Sequence, residues 1–217
     1  MPLAQQQRAA ETKESLITAA AIVFGRQGYR ATTLRDITRE AAVTQGALYF
    51  HFDSKQELAE EVIRRQHALS SAVGASFLAS SESGLTSIVR LSGQLATQIL
   101  TEPVVRAGLR LSTESADDLA GAAAAPYRDW IGVCRILLER AVTVGETREG
   151  LDLDAAAELV IMSFTGAQFV SAALSNSEDL MERLKRIWPI LLAGIVRDPD
   201  HPVVTSTPDL ISQPSAR

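Results

Sequence analysis

Three helix-capping side chains lie close together near the N-terminus, and they constrain the fold more than any other feature of the chain. Thr33, Thr44 and Ser54 each stand just before a segment with helical spacing of apolar residues. Hydroxyl side chains at these positions accept hydrogen bonds from the first free N–H groups of a helix, and an acidic residue three positions later strengthens the signal. The caps predict a short helix ending near residue 42, a second over 45–50, and a long helix running to about residue 73.

One more helix precedes these three. Leu16, Ala20, Val23 and Phe24 recur at the spacing of one helical face, and Gly28 predicts the C-terminal end. Residues 10–53 therefore contain three short helices, the last two joined by about three residues, which is the geometry of a helix-turn-helix. A three-helix bundle that binds no nucleic acid is the alternative.

The stretch TQGALYFHF, residues 44–52, divides into two faces. Leu48 and Phe52 are four residues apart and are expected in the core, while Gly46 is small enough to let the helix approach a DNA groove. A glutamine near the helix N-terminus can read adenine through its amide, so we expect Gln45 and Arg35 to contact bases. Phosphate contacts are expected from Thr33, Tyr49, His51 and Lys55. The alternatives are a core position for Tyr49 or Phe50, a capping or packing role for His51, and plain solvation for Arg35 and Arg39.

The segment ATTLRDITREAAVTQGALYFHFDSKQELA resembles the DNA-binding module of the TetR family of bacterial repressors, and the similarity extends over residues 13–62. The resemblance implies an all-helical homodimer with an N-terminal helix-turn-helix module and a C-terminal ligand-binding and dimerisation domain. Many relatives carry Lys at the position of Gln45, so the operator sequence does not carry over. The positions that would face DNA are Thr33, Arg35, Thr44, Gln45, Gly46, Tyr49, Phe50, His51 and Lys55.

Composition narrows the class of protein. The net charge is −5, yet residues 1–55 hold seven basic and five acidic side chains, so the acidic excess lies in the rest of the chain. A locally basic end can bind a polyanion because salt screens charges beyond about 10 Å. The single cysteine and three scattered histidines offer no metal-ligand spacing. No uninterrupted apolar run approaches the roughly 18 residues of a membrane span, so we expect a cytoplasmic protein. We also expect neither a metal nor a cofactor.

Longer helical segments follow the N-terminal module. The expected organisation is a DNA-binding domain over residues 1–53, a ligand-binding and dimerisation domain over 54–198, and a disordered proline-containing tail over 199–217. Dimerisation is assigned to the segments 153–174 and 176–197, which would form a two-fold four-helix interface. The apolar positions expected there in the second segment are Leu180, Leu184, Ile187, Trp188, Leu191 and Ile195. For Trp188 a core position is the alternative.

A second resemblance concerns the C-terminal part. The segments TEPVVRAGLRLSTES, PYRDWIGVC and SFTGAQFVS resemble the γ-butyrolactone receptor subgroup, whose members leave DNA when they bind a small diffusible lactone or furan-like signal. The resemblance implies a ligand-responsive repressor of a palindromic operator, with Trp130 in the ligand pocket. The alternative is a general TetR-type repressor of an efflux or metabolic gene that responds to another small hydrophobic ligand.

An acyl lactone needs an apolar chamber with a few hydrogen-bonding groups. The Trp130 ring can form a wall while its N–H donates to a carbonyl, and Thr165 or Gln66 is the expected second polar contact. The alternatives are a core role for Trp130, a hydroxyl bonded back to its own helix for Thr165, and solvent exposure for Gln66. The apolar lining is expected from Val104, Ala107, Leu109, Cys134, Leu138 and Phe164, for which ordinary core packing is the alternative.

An enzyme is the rival class. The sequence has no Gly-x-Ser-x-Gly elbow, no glycine-rich phosphate loop and no His-Glu-x-x-His pair. We therefore expect a DNA-binding protein without enzymatic activity, whose partners are double-stranded operator DNA, a small hydrophobic signal and a second copy of the chain.

Overall fold

The structure is a computed structural model that describes residues 3–114 and 120–213. Within these ranges the chain forms helices and no strand, apart from one isolated bridge that joins Thr147 to Val196. The predicted all-α class is confirmed. The helices are α1 (Leu3–Ala31), α2 (Leu34–Glu40), α3 (Gln45–His51), α4 (Lys55–Ala79), α5 (Gly84–Thr101), α6 (Pro103–Glu114), α7 (Ala120–Thr143), α8 (Leu153–Ser175), α9 (Leu180–Ala193), α10 (Pro202–Thr205) and α11 (Thr207–Ser212).

The chain divides into two compact units. The first consists of Met1–Ser70 and Thr101–Ala125, and the second of Ser71–Leu100 and Pro126–Arg217. The first unit thus contains α6 and most of α4 in addition to α1, α2 and α3. The predicted boundary after residue 53 does not coincide with the division into compact units, and as a division of function it stays a prediction.

The first unit is built around the apolar face of α1. Leu16, Ala20, Val23 and Phe24 are fully buried, as their spacing predicted. Gly28 has φ 78° and ψ 172°, a conformation that breaks the helix and that side-chain-bearing residues rarely adopt. The core is completed from the other helices of this unit by Ile37, Leu48, Phe52, Leu58, Val62, Ala107 and Leu111.

Capping side chains set the ends of the short helices as predicted. The Asp36 N–H donates to the Thr33 hydroxyl at 3.2 Å, and the Thr33 N–H donates to the Asp36 carboxylate at 3.1 Å. The Ala47 N–H donates to the Thr44 hydroxyl at 3.1 Å. Ser54 accepts from the Glu57 N–H at 3.0 Å and so caps α4, which continues to Ala79, beyond the predicted end near residue 73.

The second unit holds the end of α4 and the start of α5 against α7. The Arg140 guanidinium donates to the carbonyls of Leu78 at 2.8 Å and Ser80 at 2.9 Å, so a cation binds the free carbonyl groups at the C-terminus of α4. Gly84 stands where a Cβ would collide with the Leu137 carbonyl. The absence of a side chain at Gly84 therefore lets the two helix backbones touch.

The predicted disordered tail over 199–217 is wrong for the residues described. Val203, Thr207 and Ile211 are buried, and α11 lies so close to α5 that a Cβ on Gly93 would collide with the Ile211 carbonyl. A proline lies in the first turn of each of the two helices here, which is a favourable position, although the sequence suggested irregular structure. Residues 214–217 lie outside the described part.

Helix α8 is long and apolar enough to cross a membrane by length and composition, although the sequence showed no uninterrupted apolar run of that length. Only 17% of the apolar 18-residue stretch of this helix is buried within the protomer. Its exposed apolar side chains are Leu159, Met162, Phe169, Val170 and Leu174, and α9 adds Ile190, which is 77% exposed. A patch of this kind marks a surface that another molecule covers.

Helix α9 corrects part of the predicted dimer surface. Leu180, Leu184, Trp188 and Ile195 are buried inside the protomer, where they pack as core. These four residues therefore lie inward, because α10 and α11 as well as α8 pack on α9, while the predicted Ile187 and Leu191 are half-buried. The exposed apolar surface of the α8–α9 pair comes mainly from α8.

Candidate nucleic-acid interface and ligand site

Helix α3 buries one face and presents the other. Leu48 is 0% and Phe52 2% exposed, whereas Tyr49 is 55% and Phe50 71% exposed. The core alternative for Tyr49 and Phe50 is therefore wrong within the protomer. Two large aromatic side chains held in water by a seven-residue helix need a reason other than folding, since burying them would have been favourable.

The N-terminus of α3 is open to solvent. Thr44 caps it, and Gln45 and Gly46 are both exposed. A Cβ on Gly46 would meet only the Thr44 hydroxyl, at 3.8 Å, so packing within the protomer does not require glycine there. This fits the prediction that Gly46 leaves room for an incoming molecule, which stays a prediction.

A shallow concavity of about 810 Å³ lies beside α2 and the start of α3. Arg35 lies on its wall, is exposed, and forms no ion pair with any residue in the described ranges. Arg39 is instead paired with Asp36 at 2.8 Å, with 74% of its side chain exposed. Arg35 is thus the unengaged cation of this surface. The lining residues are Arg35, Asp36, Thr38, Arg39, Val43 and Gln45.

Thr33 is occupied by the capping box. Its hydroxyl donates to the Asp36 carboxylate at 2.6 Å and its N–H donates to the same oxygen at 3.1 Å. These two hydrogen bonds, with the Arg39 charge, hold the pKa of Asp36 below its usual value. A phosphate contact from Thr33 would require it to exchange one of these bonds, so its expected role is weaker than that of Arg35.

Lys55 and His51 lie at the junction of α3 and α4. The Lys55 ammonium donates to the carbonyls of Tyr29 and Thr32, each at 2.9 Å, and sits 4.4 Å from the centre of the Tyr29 ring. Lys55 therefore fastens the start of α4 to the end of α1. His51 is half-buried, and its ring meets that of Phe50 edge-on at 5.0 Å.

Sequence reasoning missed the side chains that bind α6 to α1. The Arg110 guanidinium donates to the Gly25 carbonyl at 2.8 Å, and Ala107 lies 3.9 Å from where a Cβ on Gly25 would be. The apolar periodicity of both helices was visible in the sequence. An arginine that bonds a carbonyl 85 residues away carries no local signal.

Four of the predicted ligand-contacting residues belong to the first unit. Ala107 is fully buried in its core, Val104 packs against that core, and Leu109 is half-buried. Gln66 is buried rather than solvated, so the solvent alternative is wrong. Its amide N–H donates to the Ser70 hydroxyl at 3.3 Å, and its Cβ would lie 2.5 Å from a Cβ on Gly108.

The other five belong to the second unit. Cys134 and Leu138 are buried, while Trp130, Phe164 and Thr165 are half-buried. Neither the Trp130 N–H nor the Thr165 hydroxyl makes a hydrogen bond to a residue that the structure describes. The back-bonding alternative for Thr165 is therefore not observed, and both groups are free to bind a ligand.

The one thiol among these residues is that of Cys134. Burial raises the pKa of the Cys134 thiol to about 12, so it is protonated and a poor nucleophile at neutral pH. Across the described ranges, three or more His, Cys, Asp or Glu side chains do not come together as a metal site.

Comparison with known protein families matches both parts of the chain. Residues 16–62 match the bacterial regulatory proteins of the tetR family. Residues 82–197 match the tetracyclin repressor-like C-terminal domain. The second match alone spans more than half of the sequence.

Individual relatives give the same result over nearly the full length. The A-factor receptor protein of Streptomyces griseus is 36% identical over 202 residues, which are 93% of this chain and 68% of that protein. A crystal structure of a γ-butyrolactone receptor, described as an ArpA-like protein, is 31% identical with a TM-score of 0.78, covering 94% of this chain and 97% of that chain. CprB from Streptomyces coelicolor, solved in complex with its biological operator sequence, is 30% identical with a TM-score of 0.74, covering 94% and 95%. The chain belongs to the TetR family of bacterial transcriptional regulators.

Proposed function

We propose that the protein is a ligand-responsive transcriptional repressor that leaves a palindromic operator when it binds a small diffusible signal of the γ-butyrolactone, butenolide or furan type. The observation that carries the proposal is the 36% identity to the A-factor receptor over 93% of the chain. That similarity covers the C-terminal part as well as the DNA-binding module. It favours this function over that of a general TetR-type repressor of an efflux or metabolic gene. A similarity confined to the DNA-binding module would not distinguish the two.

The DNA-binding face is assigned to the exposed side of α3 and to Arg35 on α2. Gln45 and Arg35 line the same concavity, and both are free to enter a major groove and bond base edges. Tyr49, His51 and Lys55 are assigned to phosphates, which fix register without reading sequence. Thr33, Thr44, Gly46 and Phe50 complete the surface that faces the duplex.

The ligand is assigned to the side chains around Trp130. Its half-buried ring offers an apolar wall, and its unbonded N–H suits a lactone or ketone carbonyl. Thr165 supplies a second free donor, while Phe164, Cys134 and Leu138 supply apolar surface. Gln66, Val104, Ala107 and Leu109 stay candidates on α4 and α6, with packing roles in the first unit already visible.

Two protomers are proposed to associate through α8 and α9. The exposed Met162, Phe169, Val170 and Leu174 give α8 an apolar face, and Gly166 is small enough to allow close approach. A two-fold axis through this surface would repeat the DNA-binding face once per protomer, as a palindrome requires. The two recognition helices would then enter grooves separated by about 34–36 Å.

Release is proposed to act through α4 and α6. In the first unit a Cβ on Gly108 of α6 would stand 3.3 Å from the Val62 carbonyl of α4, so these helices are in close contact. Lys55 fixes the first turn of α4 to the DNA-binding module. A signal that prefers the conformation with α4 tilted would change the spacing of the two recognition helices, with a coupling free energy of about 1–3 kcal/mol.

The test is an electrophoretic mobility shift with DNA from the region upstream of the protein's own gene. We expect a retarded band that disappears on adding an ethyl acetate extract of the producing culture or a synthetic γ-butyrolactone. A band that neither addition removes, but that a panel of unrelated hydrophobic drugs does, would favour the efflux-type alternative. Absence of any band would contradict the repressor itself.

Relatives of this family are transcriptional regulators, and we propose that this chain likewise has no enzymatic activity. We also propose a cytoplasmic location, where operator DNA is accessible. Membrane fractionation of the producing cells would overturn the second proposal if the full-length chain sedimented with lipid in high salt. Covering α8 by a second protomer accounts for its apolar surface without a membrane.

A further inference from the structure

Helix α4 lacks a side chain at the point where the Trp130 ring rests on it. A Cβ on Gly74 would lie 3.0 Å from Cζ3 and 3.1 Å from Cη2 of Trp130, and 3.9 Å from Cγ1 of Val133. These two ring atoms form the distal end of the six-membered ring. The indole therefore contacts the backbone of α4 so closely that any side chain at position 74 would displace the ring.

The glycine is not explained by backbone conformation. Gly74 lies inside α4, where glycine is unfavourable relative to alanine, and its φ is not in the left-handed region. On α7, Gly132 stands two residues from Trp130, and a Cβ there would meet nothing within 4 Å. The two glycines near Trp130 thus differ, because only Gly74 makes room for the ring.

The orientation of the ring follows from this contact. The pyrrole N–H lies on the other ring of the indole, away from the atoms that touch Gly74. Because the distal end of the ring rests on α4, the N–H points away from α4, and it has no hydrogen-bond partner among the described residues. A methyl group at position 74 would displace the ring by a few tenths of an ångström and move the N–H with it.

We propose that Gly74 is the positioning residue for Trp130 and thereby sets how well its N–H meets a lactone carbonyl. The inference rests on the proposed function, since it assumes that a lactone binds beside Trp130. A ring that rests on the α4 backbone holds the N–H at one place, and a ring displaced by a side chain at position 74 carries the N–H away from that place. Alanine at position 74 would therefore weaken the response to the signal without removing the ring.

The experiment compares Gly74→Ala with Gly132→Ala, a matched substitution two residues from Trp130 on α7 that meets open space. Each variant is titrated on operator DNA with synthetic acyl γ-butyrolactones carrying short, medium and long straight chains. For Gly74→Ala we expect the concentration needed for release to rise about 5-fold for every chain, because the displaced N–H forms a weaker hydrogen bond to the lactone carbonyl. Gly132→Ala should follow the wild type for every chain.

A second measurement keeps the two proposals distinguishable. The near-ultraviolet circular dichroism of Trp130, obtained by subtracting the spectrum of Trp130→Phe, should change in Gly74→Ala and stay unchanged in Gly132→Ala. If no lactone releases the wild type, the proposed function fails, while a changed Trp130 spectrum would still support the positioning role. An unchanged spectrum together with wild-type release by every chain would overturn the inference.

Discussion

Helices α3 and α7 both carry aromatic side chains with proposed functions, but they hold them in opposite ways. On α3, Tyr49 and Phe50 project into solvent, while the buried Leu48 and the following Phe52 anchor the helix to its unit. On α7, Trp130 is half-buried and seated against Gly74 of α4. A surface that meets a large external partner must keep its contact groups free, whereas a small-molecule site must hold them in place.

The difference predicts that folding and binding can be separated on α3. Leu48→Ala removes a fully buried side chain and should lower the free energy of unfolding by about 2–5 kcal/mol. Phe50→Ala should change it by less than about 0.5 kcal/mol, because the ring is exposed. Urea unfolding followed by circular dichroism measures both.

For folded protein, operator affinity should show the reverse order, with a larger loss for Phe50→Ala than for Leu48→Ala. Phe50→Ala should weaken the retarded band although its stability is intact. A Phe50→Ala protein with lower stability and unchanged operator affinity would break the comparison, since it would place the ring in the fold rather than on the DNA.

Within the exposed face, base reading can be separated from phosphate binding. Gln45→Ala should cost about 1–3 kcal/mol at the base pair it reads and relax the preference there. Arg39→Ala is the matched control, because its guanidinium already pairs with Asp36. The measurement is operator affinity against a set of singly substituted sites. Equal weakening by Gln45→Ala on every site would remove Gln45 from base readout.

On α7, we expect Trp130 to contribute to release by the ligand and not to operator binding. Trp130→Ala should keep operator affinity within about threefold and lose most of the 5- to 150-fold effect that typical coupling gives. Ile136→Ala, a substitution of an exposed apolar residue on the same helix, should release normally. A folded Trp130→Ala protein that dissociates like the wild type would assign the ligand elsewhere.

The two regions also differ in how far the sequence could predict them. The caps at Thr33 and Thr44 act over three residues, and the buried positions of α1 and α3 follow from helical spacing, so local rules were sufficient. The contacts of Lys55 with the Tyr29 and Thr32 carbonyls, and of Gly74 with Trp130, join distant residues. Spacing cannot reveal them, because they depend on how helices cross.

The same limit explains the errors in the C-terminal part. Leu184 and Trp188 form an apolar stripe that fits a dimer interface, but α10 and α11 cover the same helix. The proline-containing segment was expected to be disordered because it has no helical period. Val203 and Ile211 are nevertheless buried, because α10 and α11 pack on α9 in the folded chain.

The smallest expected effect concerns acid stability at the α8–α9 corner. The Arg183 guanidinium donates to the Asp179 carboxylate at 2.8 Å, and the hydroxyls of Ser171 and Ser175 donate to it at 2.5 and 2.6 Å. These bonds, that of Arg183 foremost, hold the pKa of Asp179 well below its ordinary value of 3.8. The folded protein therefore binds a proton at Asp179 less readily than the unfolded chain does.

The stabilisation from a lowered carboxylate pKa is complete above the unfolded value and is lost as pH falls through the folded one. Below about pH 4 the free energy of unfolding should fall more steeply for the wild type than for Asp179→Asn. Ser175→Ala, which removes one donor and keeps the charge pair, should lie between them. Unfolding curves from pH 6 to pH 2 measure this, and identical slopes for the three proteins would contradict it. If the corner supports the α8 surface through which two protomers associate, the dimer should weaken over the same pH range.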